Sequence, residues 1–239
     1  MANAYYAAIK DFQEKLARYA AEVFRNCGGE LPLRLGDYNL LAHKQNCLES
    51  STAFGYIIEE FLVSKLEIYS QSHTGSDCVI RRADGSATAS SYDCFSYFGG
   101  IKALVNVKAD KGGNNAVAAI NRLYDDYVVR SPEQTKCFLV LKVNYRTGVS
   151  ESDGERKIFI GGLSSFFLEE IDYLRCHKET GKIPQDHRNW SPNAYNANSG
   201  RLKATDRIRS AYAVPPEDVS FEFTRGTIGG IFRINAAAK

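Results

Sequence analysis

Between residues 4 and 26, Tyr5, Ile9, Phe12, Leu16, Tyr19 and Val23 recur at alternating intervals of four and three. That spacing marks one face of an amphipathic helix, and Cys27-Gly28-Gly29 supplies its stop. The seam is regular enough for a dimer contact, but over so short a length packing into the chain's own core is the simpler expectation. A polar loop containing Pro and Gly follows from about 28 to 50. A second helix spans about Thr52 to Tyr69, with Phe54, Ile58, Phe61, Leu62, Leu66 and Tyr69 as its apolar positions. Residues 70–90 are polar and rich in Gly and Ser, which predicts a loop or a short irregular hairpin.

The pattern then changes period. Residues 91–98 and 101–108 are two β-prone runs around Gly99-Gly100, the signal for a two-residue hairpin. A helix is expected at about 115–129, burying Val117, Ile120, Leu123, Tyr124, Tyr127 and Val128. Strands are expected at 137–145 and 157–161, a helix at about 165–178, and strands at 207–214 and 219–225 around a Pro-Pro turn. Residues 179–203 hold almost no aliphatic side chains and many Asn, Arg, Lys, Gln and Gly. The order of elements describes a mixed α/β domain over 1–239, with no internal repeat and no clear linker.

Composition narrows the function classes. Hydrophobic residues make up 44% of the 239 and charged residues 24%, enough for a sizeable core. A net charge of +2, from 30 basic and 28 acidic residues, does not suit a purely electrostatic nucleic-acid binder. It leaves room for an enzyme that gathers positive charge in one cleft. No apolar run reaches the roughly 18 residues of a membrane span, and the N-terminal residues lack the pattern of a signal peptide. The expectation is a cytoplasmic protein without membrane contact. Six scattered cysteines without a CxxC pair read as reduced thiols, and a zinc site from Cys176, His177 and His187 is the minor alternative. There is no P-loop, dinucleotide fingerprint or G-x-S-x-G elbow, so a nucleotide cofactor and a serine hydrolase have no support.

The hairpin carries the candidate chemistry. With Gly99-Gly100 as the turn, Phe98 faces Ile101, and the same register sets Asp93 opposite Asn106. Their Cβ atoms would stand about 5 Å apart on one face. Lys108, two residues beyond Asn106, projects from that face too, while Val105 and Val107 turn to the core. A carboxylate and an amide oxygen are hard donors suited to Mg²⁺. Lys108 would orient or deprotonate a water and stabilise a pentavalent phosphate. On the second helix, Glu59 shares a row with Gly55, Leu62, Val63 and Leu66. A carboxylate beside apolar neighbours needs a partner, so Glu59, rather than Glu60, is expected to face the metal.

Gly55-x-x-x-Glu59, Asp93 and Asn106-x-Lys108 together resemble the PD-(D/E)XK nucleases, particularly type II restriction endonucleases. The likeness in element order covers about 50–145, the expected nuclease core. It implies a restriction-endonuclease-like fold, a mixed central sheet flanked by helices. It also implies Mg²⁺-dependent hydrolysis of double-stranded DNA leaving a 5′-phosphate, with Asp93, Asn106, Lys108 and Glu59 catalytic and a homodimer for a palindromic target. Two positions depart from the pattern: Tyr92 stands where proline is common, and Asn106 replaces an acidic residue. An amide there keeps an oxygen ligand but removes a charge. The departure keeps open a non-cleaving DNA-binding protein with a degenerate or inactivated nuclease core, beside a DNA repair nuclease.

Residues 160–239 would add recognition and further sheet elements. Arg188, Asn189, Trp190, Asn193, Asn196, Asn198, Arg201 and Lys203 are of the types that read base edges or stack on bases. Arg207, Arg209, Arg81, Arg82 and Lys111 could contact phosphates, and Asn114 or Asn115 could touch the backbone near the cut or cap a helix.

Overall fold

The computed structural model describes residues 2–32, 51–73, 78–83, 90–111, 116–119, 126, 130–131, 133–167, 195–196, 201–203, 219–220 and 235–236. The protein is α/β, with two helices and a mixed six-stranded sheet among these residues. Helix α1 spans Ala2–Asn26 and buries Ile9, Phe12, Leu16, Tyr19 and Val23 in the chain's own core. Its end is a Schellman motif: Gly29 N–H donates to Phe24 O at 2.8 Å and Gly28 N–H to Arg25 O at 3.0 Å. Both glycines have positive φ, a conformation that costs them nothing without a Cβ.

The loop expected at 28–50 contains a short strand, β1 (Glu30–Pro32). It lies at the sheet edge, where Pro32 interrupts no ladder that continues outward. Helix α2 spans Ser51–Ser72, and β2 (Arg81–Arg82) follows within the stretch expected to be irregular. The hairpin of β3 (Cys94–Phe98) and β4 (Ile101–Asp110) has the expected register, with Phe98 opposite Ile101 and Cys94 opposite Val105. Gly99 and Gly100 both have positive φ, as a two-residue hairpin turn of this kind requires.

Downstream the structure departs from the sequence reading. Ala116–Ala119 is a strand, β5, rather than the first turn of a helix at 115–129. Its alanines favour helix locally, but Ala116 and Ala119 pair with Lys203 and Arg201 of β9 (Arg201–Lys203), and tertiary pairing overrides a weak local preference. Strand β6 covers Lys136–Val149 and β7 covers Arg156–Phe167, both longer than expected. The Gly161-Gly162 pair does not end β7. Asn144 faces Gly162 and Tyr145 faces Ile160, so Gly161 is the extra residue of a bulge. The strand then continues through Phe167, which is buried where a helix was expected to begin. The remainder of the helix expected at 165–178 and the strand expected at 207–214 lie outside the described residues. Short strands β8 (Tyr195–Asn196), β10 (Val219–Ser220) and β11 (Asn235–Ala236) complete the assignments, β8 pairing with β9 and β10 with β11.

The sheet order is β1-β7-β6-β4-β3-β2, and only the β4–β6 pair is parallel. Strand β6 opens with the apolar run Cys137–Leu141, buried on both faces as a central parallel strand should be. Odd-numbered residues of both strands, among them Val105, Val107, Leu139 and Leu141, join Phe12, Leu16, Ile58 and Leu62 in one core. Each such fully buried side chain contributes about 1.5–3 kcal/mol. Leu104, Phe138 and Val140 are buried outside that cluster, on the opposite face. This second face, where Leu104 is followed by Asn106, Lys108 and Asp110, carries the candidate site.

Candidate metal and phosphate site

Strand β3 begins at Cys94, opposite Val105, so β4 runs on for five residues without that neighbour. Along β4 the odd-numbered amides face the β3 side: Asp93 N–H donates to Val105 O at 2.9 Å. The next two odd amides would therefore meet an open edge, and carboxylates from different elements accept them. Val107 N–H donates to Asp93 Oδ2 at 2.7 Å, and Ala109 N–H donates to Glu59 Oε1 at 3.3 Å. Amides two residues apart on a strand are roughly 7 Å apart, so Asp93 and Glu59 are neighbours along one edge.

Lys108 turns toward the same edge. Its Nζ donates to Val107 O at 3.0 Å and lies 3.7 Å from Glu59 Oε1. The helix brings Glu59 there because its row packs on the strand: a Cβ at Gly55 would stand 3.8 Å from that of Ala109, and Leu62, Val63 and Leu66 are buried. Glu60 points elsewhere and pairs with Arg82. Glu59, Asp93 and Lys108, singled out from the sequence, thus meet around one strand end.

Asn106 sits behind them, 5% exposed. Its Nδ2 donates to Ser91 O at 2.6 Å, while its Oδ1 has no hydrogen-bond partner among the described residues. A buried amide oxygen without a partner is costly, and a cation or a water is what such an oxygen accepts. The donor set of two carboxylates and one amide oxygen fits Mg²⁺, a hard ion that takes oxygen ligands and keeps several waters. Among the described residues no group of three His, Cys, Asp or Glu side chains is placed to hold a metal ion, so a site here depends on the Asn106 amide.

Three features were not anticipated. Buried Asp126 accepts Ser91 N–H and pairs with Arg130 at 2.7 Å, fixing the segment that Asn106 holds. Asp110, two residues beyond Lys108, pairs with Lys142 of β6 at 2.7 Å. Burial, then the Asp110 and Glu59 carboxylates, push the Tyr145 phenol above its ordinary range. The alternation Asn106-x-Lys108-x-Asp110 was visible in the sequence, but its partner on β6 depends on a parallel register that no local pattern encodes.

Of the residues expected to contact DNA, Arg81 and Lys111 are exposed, and Arg82, also exposed, is tied to Glu60. Asn196 lies in β8, and Arg201 and Lys203 in β9. Asn114, Asn115, Arg188, Asn189, Trp190, Asn193, Asn198, Arg207 and Arg209 lie outside the described residues, as do Cys176, His177 and His187 of the alternative zinc set. Cys78, Cys94 and Cys137 are buried free thiols and Cys27 is half-buried. No helix among the described residues is long and apolar enough to cross a membrane. No protein-family model matches the chain, and no curated protein sequence matches it.

Proposed function

We propose that this chain is a sequence-specific, Mg²⁺-dependent endonuclease of double-stranded DNA, of the type II restriction kind, leaving 5′-phosphate ends. One observation carries the reading: Asp93, Glu59 and Lys108 gather on the open edge of β4 with the unpartnered Asn106 Oδ1 behind them. The order of elements supports it. A glutamate-bearing helix, a hairpin with Asp93 and Asn106-x-Lys108, and a further strand parallel to the hairpin's second strand agree with the resemblance to PD-(D/E)XK nucleases. In this reading the sheet and its helices form a restriction-endonuclease-like core, and the protein acts as a homodimer on a palindromic target.

Asp93, Glu59 and Asn106 Oδ1 would hold the ion. When bound, Mg²⁺ supplies positive charge at the scissile phosphate and acidifies water. The Lys108 ammonium, held by Glu59 and the Val107 carbonyl, is positioned to orient the attacking water and to donate to the phosphate as negative charge builds in the transition state. Asp93 and Glu59 are each steadied by a β4 amide, so their geometry is preorganised by the strand.

A second reading, a DNA-binding protein with a degenerate core, is favoured by one contact. The buried Asn106 Nδ2–Ser91 O bond gives the amide a structural use independent of any metal. Cleavage separates the two. Purified protein incubated with phage DNA and Mg²⁺ should give discrete bands that vanish with EDTA and with Lys108→Ala. Intact DNA under these conditions would overturn the nuclease and leave the binding reading to be tested by gel shift.

A further inference from the structure

We propose that Lys142 is a second phosphate-binding ammonium of this site, held in position by Asp110; the proposal rests on the nuclease reading. Lys142 stands in register with Lys108 on the adjacent parallel strand, about 4.8 Å away in the sheet. Leu104 and Phe138 occupy the same face further back and are buried, but from Lys108 onward that face changes character. Lys108 lies beside Lys142, Asp110 beside Asn144, and Ser164 of β7 beside Lys142. A polar floor thus spans three strands at the carboxyl ends of the one parallel pair, the side of an open α/β sheet where ligands bind.

The pairing of Lys142 is unusual for a side chain with a purely structural use. Its side chain is 13% exposed and that of Asp110 7%, so both ions are largely desolvated. Apolar side chains of similar volume are commonly at least as stable in such a place. An ammonium has three donors, and among the described residues Asp110 is the one partner of Lys142. Lys108 divides its donors between Val107 O and Glu59. Asp93, Glu59 and Asp110 put three carboxylates against two ammoniums, so a phosphodiester approaching this edge needs both cations.

The test measures binding of labelled phage DNA fragments in EDTA, where nothing is cut, across a salt series. Lys142→Ala should weaken binding about tenfold and lower the slope of log K against log salt by about one, as loss of one phosphate contact does. Lys142→Arg should restore the slope. Asp110→Asn should keep the slope but lower kcat for Mg²⁺-dependent cleavage more than it raises KM. In case Lys142→Ala fails to fold, amine acetylation of the wild-type protein, read by mass spectrometry, should show Lys142 protected by DNA. An unchanged slope in a folded Lys142→Ala protein, or equal acetylation with and without DNA, overturns the role of Lys142 and leaves the nuclease standing. Absence of DNA binding by the wild type overturns both.

Discussion

Glu59 of α2 and Lys108 of β4 meet at 3.7 Å around the strand edge that β3 leaves uncovered, and Glu59 also accepts the amide of the next residue, Ala109. One carboxylate therefore completes the backbone bonding of the sheet and balances the ammonium of the candidate site.

That double use separates two effects of Glu59→Gln. The amide oxygen of glutamine still accepts from Ala109, and a partly exposed ion pair contributes only about 1 kcal/mol or less. Thermal stability should barely change, while the Mg²⁺ concentration for half-maximal cleavage should rise roughly tenfold, as loss of a ligand charge weakens a hard-cation site. A large drop in melting temperature with unchanged Mg²⁺ dependence would make Glu59 structural only.

Asn106→Asp tests the amide from the other side. The new carboxylate cannot donate to Ser91 O, which accepts from Nδ2 in a buried setting. The substitution should cost about 1–3 kcal/mol in EDTA, and millimolar Mg²⁺ should recover much of it. Calorimetric unfolding with and without the ion checks this. Equal destabilisation in both conditions would show that no cation reaches this position.

Burial, then the charge of neighbouring Asp93, hold the Cys94 thiol well above its ordinary range, so the reactive thiolate is scarce there. Native protein exposed to iodoacetamide at neutral pH should be labelled at half-buried Cys27 well before Cys94. Peptide mapping against time reads the order. Labelling of Cys94 as fast as Cys27 would contradict the packing of β3 against the core.

Tyr145 predicts an alkaline limit to stability. Its folded-state pKa is raised by burial and by Asp110 and Glu59, so the unfolded chain loses this proton first. The contribution is complete below the unfolded value of about 10 and is lost as pH rises through the folded value. Lys136, whose pKa is lowered chiefly by burial and next by Lys102, acts with the opposite sign below its unfolded value of about 10.4. Denaturant unfolding between roughly pH 9 and 11 should show Tyr145→Phe losing less stability than the wild type. Parallel curves would mean that the phenol titrates alike in both states.

Much of the site was legible because its signals are local. The seam of α1, the row holding Gly55 and Glu59, and the Gly-Gly turn each follow from periodicity or backbone freedom over a few residues. The turn alone sets the register that puts Asp93 across from Asn106, since a two-residue hairpin leaves strand pairing no latitude. Local preference also misled. Ala116–Ala119 reads as helix and pairs as strand, and Gly161-Gly162 reads as a stop where the strand absorbs it in a bulge.

The sequence by itself determined the α/β class, the hairpin and the residues able to do chemistry, because each depends on near neighbours in the chain. Only the tertiary structure decided that β6 lies parallel to β4 in a register placing Lys142 beside Lys108, and that β3 stops short so that Asp93 and Glu59 complete the exposed edge. Such pairings join distant segments, and their free energy comes from burying both faces of the central strands rather than from any short run of residues.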